Sequence, residues 1–216
     1  MANIKQWSRK VWHFFWEDDS IWSWLANIAI AFVLIKFVVY PLLGLFLGTG
    51  YPLVAVVSES MEHGLDGGVI CGQAFDHFPE SFSSYWNVCG YWYDSRGIAK
   101  EQFEKFPFRN GFDKGDVILL WRANKENIRV GDILVFQGGK PQPIIHRVVK
   151  VWQEEGKYYY QTKGDHNSNS ITGEMGELKI GEERAYGKGL VRVPYLGWVK
   201  IIFVEMLRPF GINIQR

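Results

Sequence analysis

The longest hydrophobic run lies near the N-terminus, where Ile21 to Leu47 read IWSWLANIAIAFVLIKFVVYPLLGLFL with Lys36 as the only charge. At about 1.5 Å per helical residue this run is long enough to cross a hydrocarbon layer of about 30 Å. A buried core helix of such length would ordinarily keep a polar face, and this one has none. Lys36 must snorkel, meet a partner or touch water, because a charge at bilayer depth costs at least about 2.5 kcal/mol. Pro41 is expected to kink the helix or to mark its outer end. Beyond the run, YPLVAVVSESM at 51–61 predicts a strand entering a polar turn. From Asp116 the segments DVILLW, DILVF, PIIHRVVKVW and KYYYQT follow one another, separated by Gly, Asp, Asn and Pro. This pattern predicts short strands in a mainly β fold, an antiparallel sheet or partly open barrel. Residues 64–110 show no sustained alternation, and the closing segment VPYLGWVKIIFVEMLRPF is interrupted by Lys200 and Glu205. A strand or an interfacial helix fits that last segment better than a second span.

Charge sets an orientation for the span. Lys5, Arg9 and Lys10 precede it, so the positive-inside rule puts residues 1–20 in the cytoplasm as a leader. Residues 21–48 then form an uncleaved signal anchor, since the apolar run is about twice a cleavable h-region of about 7–15 residues. Asp19 or Ser20 is the expected helix cap. Residues 49–198 become an extracytoplasmic β domain carrying an aromatic-rich insertion at 64–110, and 199–216 an amphipathic tail. The whole chain has 216 residues, 24 Lys+Arg against 23 Asp+Glu, and 47% hydrophobic residues. That balance argues against disorder and against a nucleic-acid partner. A mean hydropathy near zero averages an apolar span with a polar domain and so hides the membrane segment.

Three short strings carry candidate chemistry: SESM at 58–61, IHRVV at 145–149 and TKGDHN at 162–167. Acyl transfer needs a hydroxyl to attack, an imidazole to take its proton and a carboxylate to orient that imidazole. Taken alone, a Ser-x-Ser after a strand is usually a turn, a strand histidine is usually a core residue, and an aspartate after glycine usually marks a turn. No Gly-rich phosphate loop, CxxC pair or HExxH is present, so no cofactor and no metal are expected.

The order of these strings behind one N-terminal span resembles type I signal peptidase of the archaeal and endoplasmic-reticulum branch. SESM follows an apolar strand, a GD-I-L-V-F segment leads to HRVV, and TKGD-x-N comes next. The resemblance extends from the span to about Tyr195–Trp198, where YLGWVKI is similar to the family's closing strand. It implies Ser60 as nucleophile with Met61 beside it, Ser58 near the oxyanion, His146 as general base where bacterial relatives have lysine, and Asp165 as orienting acid. Two positions depart from the pattern: His63 replaces a common proline, and Ile171 stands where this branch often has a second aspartate. Asp165, Glu174 or Glu177, or a Ser60–His146 dyad alone, remain open as the completion of the site.

The resemblance further implies cleavage of secretory preproteins after small residues in the A-x-A manner, with shallow apolar pockets built from aliphatics such as Val54, Val56 or Ile144. The membrane would be an archaeal plasma membrane or the eukaryotic reticulum, with the lipid bilayer and a translocon as partners. Only residues 48–59 separate the span from Ser60, which suits a cleavage site presented at the outer surface. The missing second aspartate motivates a competing class, a non-catalytic membrane-anchored accessory protein that binds precursors or the translocon.

The insertion mixes aromatic rings with charges, and two readings stand: docking on the outer leaflet, or a satellite core on the barrel. Cys71 and Cys89, an even pair in an oxidising space, are expected to form a disulfide. A metal site combining them with His63 and His77 fits no common zinc spacing.

Overall fold

Ser20 sets the start of the long apolar helix, its hydroxyl accepting a hydrogen bond from the Ser23 amide at 3.2 Å. The computed structural model describes residues 2–139, 141–198 and 202, in two units that divide between Phe46 and Leu47. The first unit contains α1 (Ala2–Trp16), α2 (Ile21–Leu34), a π-helical turn (Ile35–Val39) and α3 (Tyr40–Leu47). The last three form one continuous apolar helix, Ile21–Leu47, a candidate membrane span by length and composition. Pro41 neither ends nor breaks it. Proline has no amide hydrogen and its ring crowds the carbonyl four residues back; the wider turn before it relieves both, with the Tyr40 amide bonding to the Ile35 carbonyl. Lys36 rests its amine over the rings of Phe32 and Phe37, at 5.7 and 5.3 Å from their centroids.

The second unit is mainly β. Seven strands, β1 (Leu53–Ala55), β4 (Val117–Trp121), β5 (Ile133–Phe136), β6 (Ile144–Glu154), β7 (Lys157–Lys163), β8 (Ile180–Gly181) and β9 (Ala185–Val193), make one curled antiparallel sheet in the order β1-β4-β9-β5-β6-β7-β8. The curl leaves the barrel half open, and register shifts at Leu119/Leu120, Val135/Phe136 and Val148/Lys150 supply local bends. At Gly189 a Cβ would sit 3.1 Å from the Ile133 Cβ, so a side chain there would require β5 to give by a few tenths of an ångström. Periodicity did not reveal β9, because AYGKGLVRV has glycines where side chains would alternate.

The predicted strands fall where the pattern put them, except at two ends. The strand expected over 51–61 is short, only Leu53–Ala55. Among the described residues β9 is the last strand, and of YLGWVKI the described positions are turns at 195–197 and a helical Trp198, so they do not form the closing strand; its last three positions lie outside the described residues. Trp198 and Ile202 are helical, and the remaining positions of the 199–216 tail lie outside the described residues.

The insertion holds a small hairpin, β2 (Gly68–Ile70) and β3 (Gln73–Phe75), and two helices, α4 (Phe82–Asp94) and α5 (Lys100–Phe103). Ser81 caps α4 through its hydroxyl, bonded by the Ser84 amide at 3.1 Å. Tyr85, Tyr93, Phe103, Ile70 and Phe78 are buried in a cluster that includes Val149 of β6. These aromatics form a satellite core on the sheet that encloses most of the insertion's rings, with Tyr91 exposed. A disulfide joins Cys71 to Cys89 with 5.5 Å between Cα atoms, tying the hairpin to α4. Closing a loop of 18 residues is worth about 3 kcal/mol in the chain-entropy view.

Candidate active site

Residues on either side of Ser60 are tied into the domain core, which gives this turn a fixed shape. Upstream, the Val56 amide bonds to the Asp116 carbonyl at 2.8 Å, and the Gly115 amide to the Val56 carbonyl at 2.9 Å. Downstream, Met61 is buried with Phe112, Ile118 and Leu120, and its sulfur accepts the Asp165 amide at 3.3 Å. The Ser60 carbonyl accepts the His166 amide at 2.9 Å, so the KGDHN loop holds the serine backbone directly.

His146 lies on β6 opposite Leu134 of β5 and is 3% exposed. Its Nε2 is 2.9 Å from the Ser60 Oγ, and its Nδ1 bonds Glu177 Oε1. A carboxylate only accepts, so Nδ1 carries the hydrogen and Nε2 is left free to accept the serine proton. Glu177 is fully buried and held by two further donors, the Thr162 hydroxyl at 2.8 Å and the Ile171 amide at 2.6 Å. Its own amide returns a bond to the Ile171 carbonyl at 2.8 Å, closing the loop that carries it.

Asp165 does not meet His146. Its carboxylate accepts Arg147 Nη2 at 2.6 Å and Nε at 2.9 Å, pairs with His63 Nε2 at 2.9 Å, and accepts the Tyr93 hydroxyl at 2.9 Å. The reason is strand alternation: His146 and Arg147 are neighbours on β6 and project to opposite faces, and Asp165 is on the Arg147 side. The expected pairing of Asp165 with His146 is therefore replaced by Glu177 with His146. Glu174 is exposed. Nothing in local spacing singles out Glu177; only its burial, visible after folding, does so.

The Asp165 environment is a closed charge network. Arg147 spends its remaining donors on the carbonyls of Pro107, Gly131 and Phe108 at 2.8, 2.9 and 2.7 Å and lies over the Phe103 ring. Burial alone would raise the Asp165 pKa, but the Arg147 charge and then the His63 bond outweigh it and hold the carboxyl well below the ordinary range. Burial lowers His63, against the opposing pull of Asp165, and its ring stacks on Tyr85 with centroids 3.5 Å apart. The Tyr85 hydroxyl donates to the Asp165 carbonyl at 3.0 Å; burial pushes the phenols of Tyr85 and Tyr93 well up. Lys163, brought by burial to about 8, points its amine at the carbonyls of Gly164 and Asp165. Both cysteine sulfurs are committed to the disulfide and His63 to Asp165, so the Cys/His metal set is not assembled.

Gly164 is where these parts come closest. A Cβ there would lie 2.7 Å from His146 Nε2 and 2.8 Å from the Ser60 carbonyl oxygen. Gly164→Ala is expected to push the imidazole off the serine and lower kcat by about 100-fold, in line with a displacement of about 1 Å. Measuring kcat beside a thermal melt checks this, and a wild-type kcat would refute it.

Ser58 is exposed, its Oγ 3.2 Å from that of Ser60. Both serines and His146 line a mostly apolar groove of about 670 Å³, together with Ala55, Val56, Val57, Ile144, Ile171 and Met175. Val56 and Ile144 are thus at the groove as expected, whereas Val54 packs toward the core beside it. A hydroxyl bonded to a buried imidazole, an acceptor carboxylate behind it and an apolar groove in front can together attack a bound carbonyl.

No family model matches the chain. Sequence comparison finds the signal peptidase complex catalytic subunit SEC11C of Homo sapiens at 35% identity over 95 residues, 42% of this chain and 50% of that protein. The corresponding SEC11 subunit of Candida dubliniensis is 32% identical over 98 residues, 44% of this chain and 58% of the relative. That of Sclerotinia sclerotiorum is 35% identical over 98 residues, 44% and 57% of the two chains. The chain spans about half the length of these relatives. Over the matched part it is similar to signal peptidase catalytic subunits, in agreement with the resemblance seen in its motifs.

Proposed function

We propose that this chain is a membrane-anchored serine endopeptidase that removes signal peptides from secretory precursors. One observation carries the reading: Ser60 Oγ lies 2.9 Å from His146 Nε2, whose Nδ1 is bonded to buried Glu177, at the wall of an apolar groove. The relatives named signal peptidase catalytic subunits supply the substrate class.

In this mechanism His146 takes the Ser60 proton as Oγ adds to the scissile carbonyl carbon. Glu177 holds the tautomer and stabilises the imidazolium that forms. The Ser60 amide and the Ser58 hydroxyl stabilise the oxyanion. The imidazolium then protonates the leaving amine, the C–N bond breaks, and an acyl-Ser60 ester remains. Water, deprotonated by His146, adds to the ester; the acyl–Oγ bond then breaks, His146 returns the proton to Ser60, and the signal peptide leaves with a new C-terminal carboxylate. Asp165 takes no part in proton transfer; it braces the loop that holds the Ser60 carbonyl. The groove's aliphatic walls exclude bulky side chains beside the scissile bond, which suits A-x-A sites.

The helix Ile21–Leu47 anchors the enzyme with the N-terminus cytoplasmic and the β domain extracytoplasmic, in an archaeal plasma membrane or the reticulum membrane, where a translocon delivers precursors. Detergent-solubilised protein should cut a secretory precursor at its signal junction. Ser60→Ala should abolish that cut, and Ser58→Ala should slow it by about 100-fold or more, equivalent to one lost oxyanion donor. Cleavage that persists in Ser60→Ala would defeat the proposal, and wild-type rate in Ser58→Ala would remove only the Ser58 role.

A further inference from the structure

Helix α1 has no role in the chemistry above, yet it combines an apolar face with basic side chains and exposed indoles. Trp7, Val11, Phe14 and Phe15 recur at three- and four-residue spacing along one face, with Lys10 at its edge; Arg9 and His13 lie on the opposite side, where Trp12 and Trp16 stack on each other. The α1 sequence contains three Lys/Arg and no Asp or Glu. Five of the chain's 10 tryptophans, Trp7, Trp12, Trp16, Trp22 and Trp24, fall in or just after this helix, and all five are more than half exposed. Indole rings left open in this density are unfavourable in water and favourable at a headgroup boundary, where the ring is buried and its N–H stays wet.

The junction with α2 holds α1 in place. Helix C-termini leave carbonyls without intrahelical partners, and here α2 supplies donors to two of them. The Ser23 hydroxyl bonds the Phe14 carbonyl, and the Asn27 amide donates to the Phe15 carbonyl at 3.0 Å. Asp18 closes the elbow by accepting the Ser20 amide at 2.8 Å. These bonds join the end of α1 to the first two turns of α2. Along α1, Trp7, Arg9, Lys10 and His13 are exposed, and Val11, Phe14 and Phe15 are half-buried.

We infer that α1 is a second membrane element, an interfacial helix that lies on a bilayer leaflet rich in anionic headgroups. Its Trp7/Val11/Phe14 face is sunk among the upper acyl chains, and Arg9 and Lys10 are paired with lipid phosphates. This rests on reading Ile21–Leu47 as the span, because the elbow brings α1 to the boundary only if α2 enters the membrane there. By the charge argument the leaflet is the cytoplasmic one.

The test uses the full chain, with its disulfide intact, reconstituted in vesicles of phosphatidylcholine with or without phosphatidylglycerol. Single spin labels are placed by Trp7→Cys, Arg9→Cys, Val11→Cys, His13→Cys and Phe14→Cys, and accessibility to oxygen and to a water-soluble nickel chelate is read by EPR. In anionic vesicles labels at 7, 11 and 14 should be several-fold more accessible to oxygen than to the chelate, and labels at 9 and 13 the reverse. Removing phosphatidylglycerol, or adding high salt, should shift all five toward the chelate. Uniform chelate access would overturn the inference, as the helix would be free in water. Shielding of 7, 11 and 14 from both reagents would also overturn it, showing a protein partner instead. An unchanged pattern without anionic lipid would refute the electrostatic half. A control label at Leu34→Cys separates the premises: chelate access there would reject the span itself, and oxygen access there with a failed α1 pattern would reject only the interfacial helix.

Discussion

Glu177→Gln should lower kcat for precursor cleavage on the order of 10³–10⁴-fold with KM little changed, the effect seen when the orienting acid of a Ser-His-acid triad becomes an amide. The amide has one acceptor and one donor where the carboxylate has two acceptors. If its oxygen serves His146 Nδ1 and Thr162, its NH₂ group confronts the Ile171 amide, which now bonds Oε2 at 2.6 Å. If it flips, the NH₂ donates to Nδ1 and drives the hydrogen to Nε2, where the Ser60 proton must go. Either way the base is compromised at a stability cost of about 1–3 kcal/mol for one unsatisfied buried donor. Steady-state kinetics beside a thermal melt checks this. A Glu177→Gln variant with wild-type kcat would show that Ser60 and His146 act as a dyad.

Asp165→Asn should behave in the opposite way, failing by unfolding instead of by chemistry. It leaves the fully buried Arg147 guanidinium without its counter-charge, a change that costs about 3–5 kcal/mol. Part of the loss would appear in activity, because the loop that Asp165 braces also donates the His166 amide to the Ser60 carbonyl. The pH dependence follows in sign. Asp165 has its folded pKa depressed, so its contribution is fully present above the unfolded value of about 3.9 and is lost as pH falls through the folded value. His63 is also depressed, so the unfolded chain takes up that proton first, near pH 6.5, and stability declines from there downward. Wild-type stability should therefore fall below about pH 6.5 and more steeply below about 4, and Asp165→Asn should lose the lower, steeper part. Unfolding in denaturant across this pH range reads both. An Asp165→Asn variant with unchanged melting and no activity would return Asp165 to the chemistry.

The part of the site legible in the sequence is the part carried by contiguous residues. SESM, HRVV and KGDHN each sit in one stretch of chain, and their order, through the family resemblance it carries, pointed to Ser60, His146 and the KGDHN loop that follows without any fold. The network joining α4 to Asp165 was not legible, because Tyr85 and Tyr93 look like any other aromatics in a charged segment until the helix turns them inward.

Periodicity and composition by themselves determined the apolar helix at Ile21–Leu47, the strands from Val117 to Lys163 and the mainly β class, because each depends on residues a few positions apart. Tertiary structure alone decided which acid stands behind His146, where the insertion's aromatics go and which strand closes the sheet. Those outcomes depend on distances between segments remote in the chain. Such distances are set by the curl of the sheet and by the opposite projection of His146 and Arg147 from one strand, and a one-residue change in register would exchange their partners.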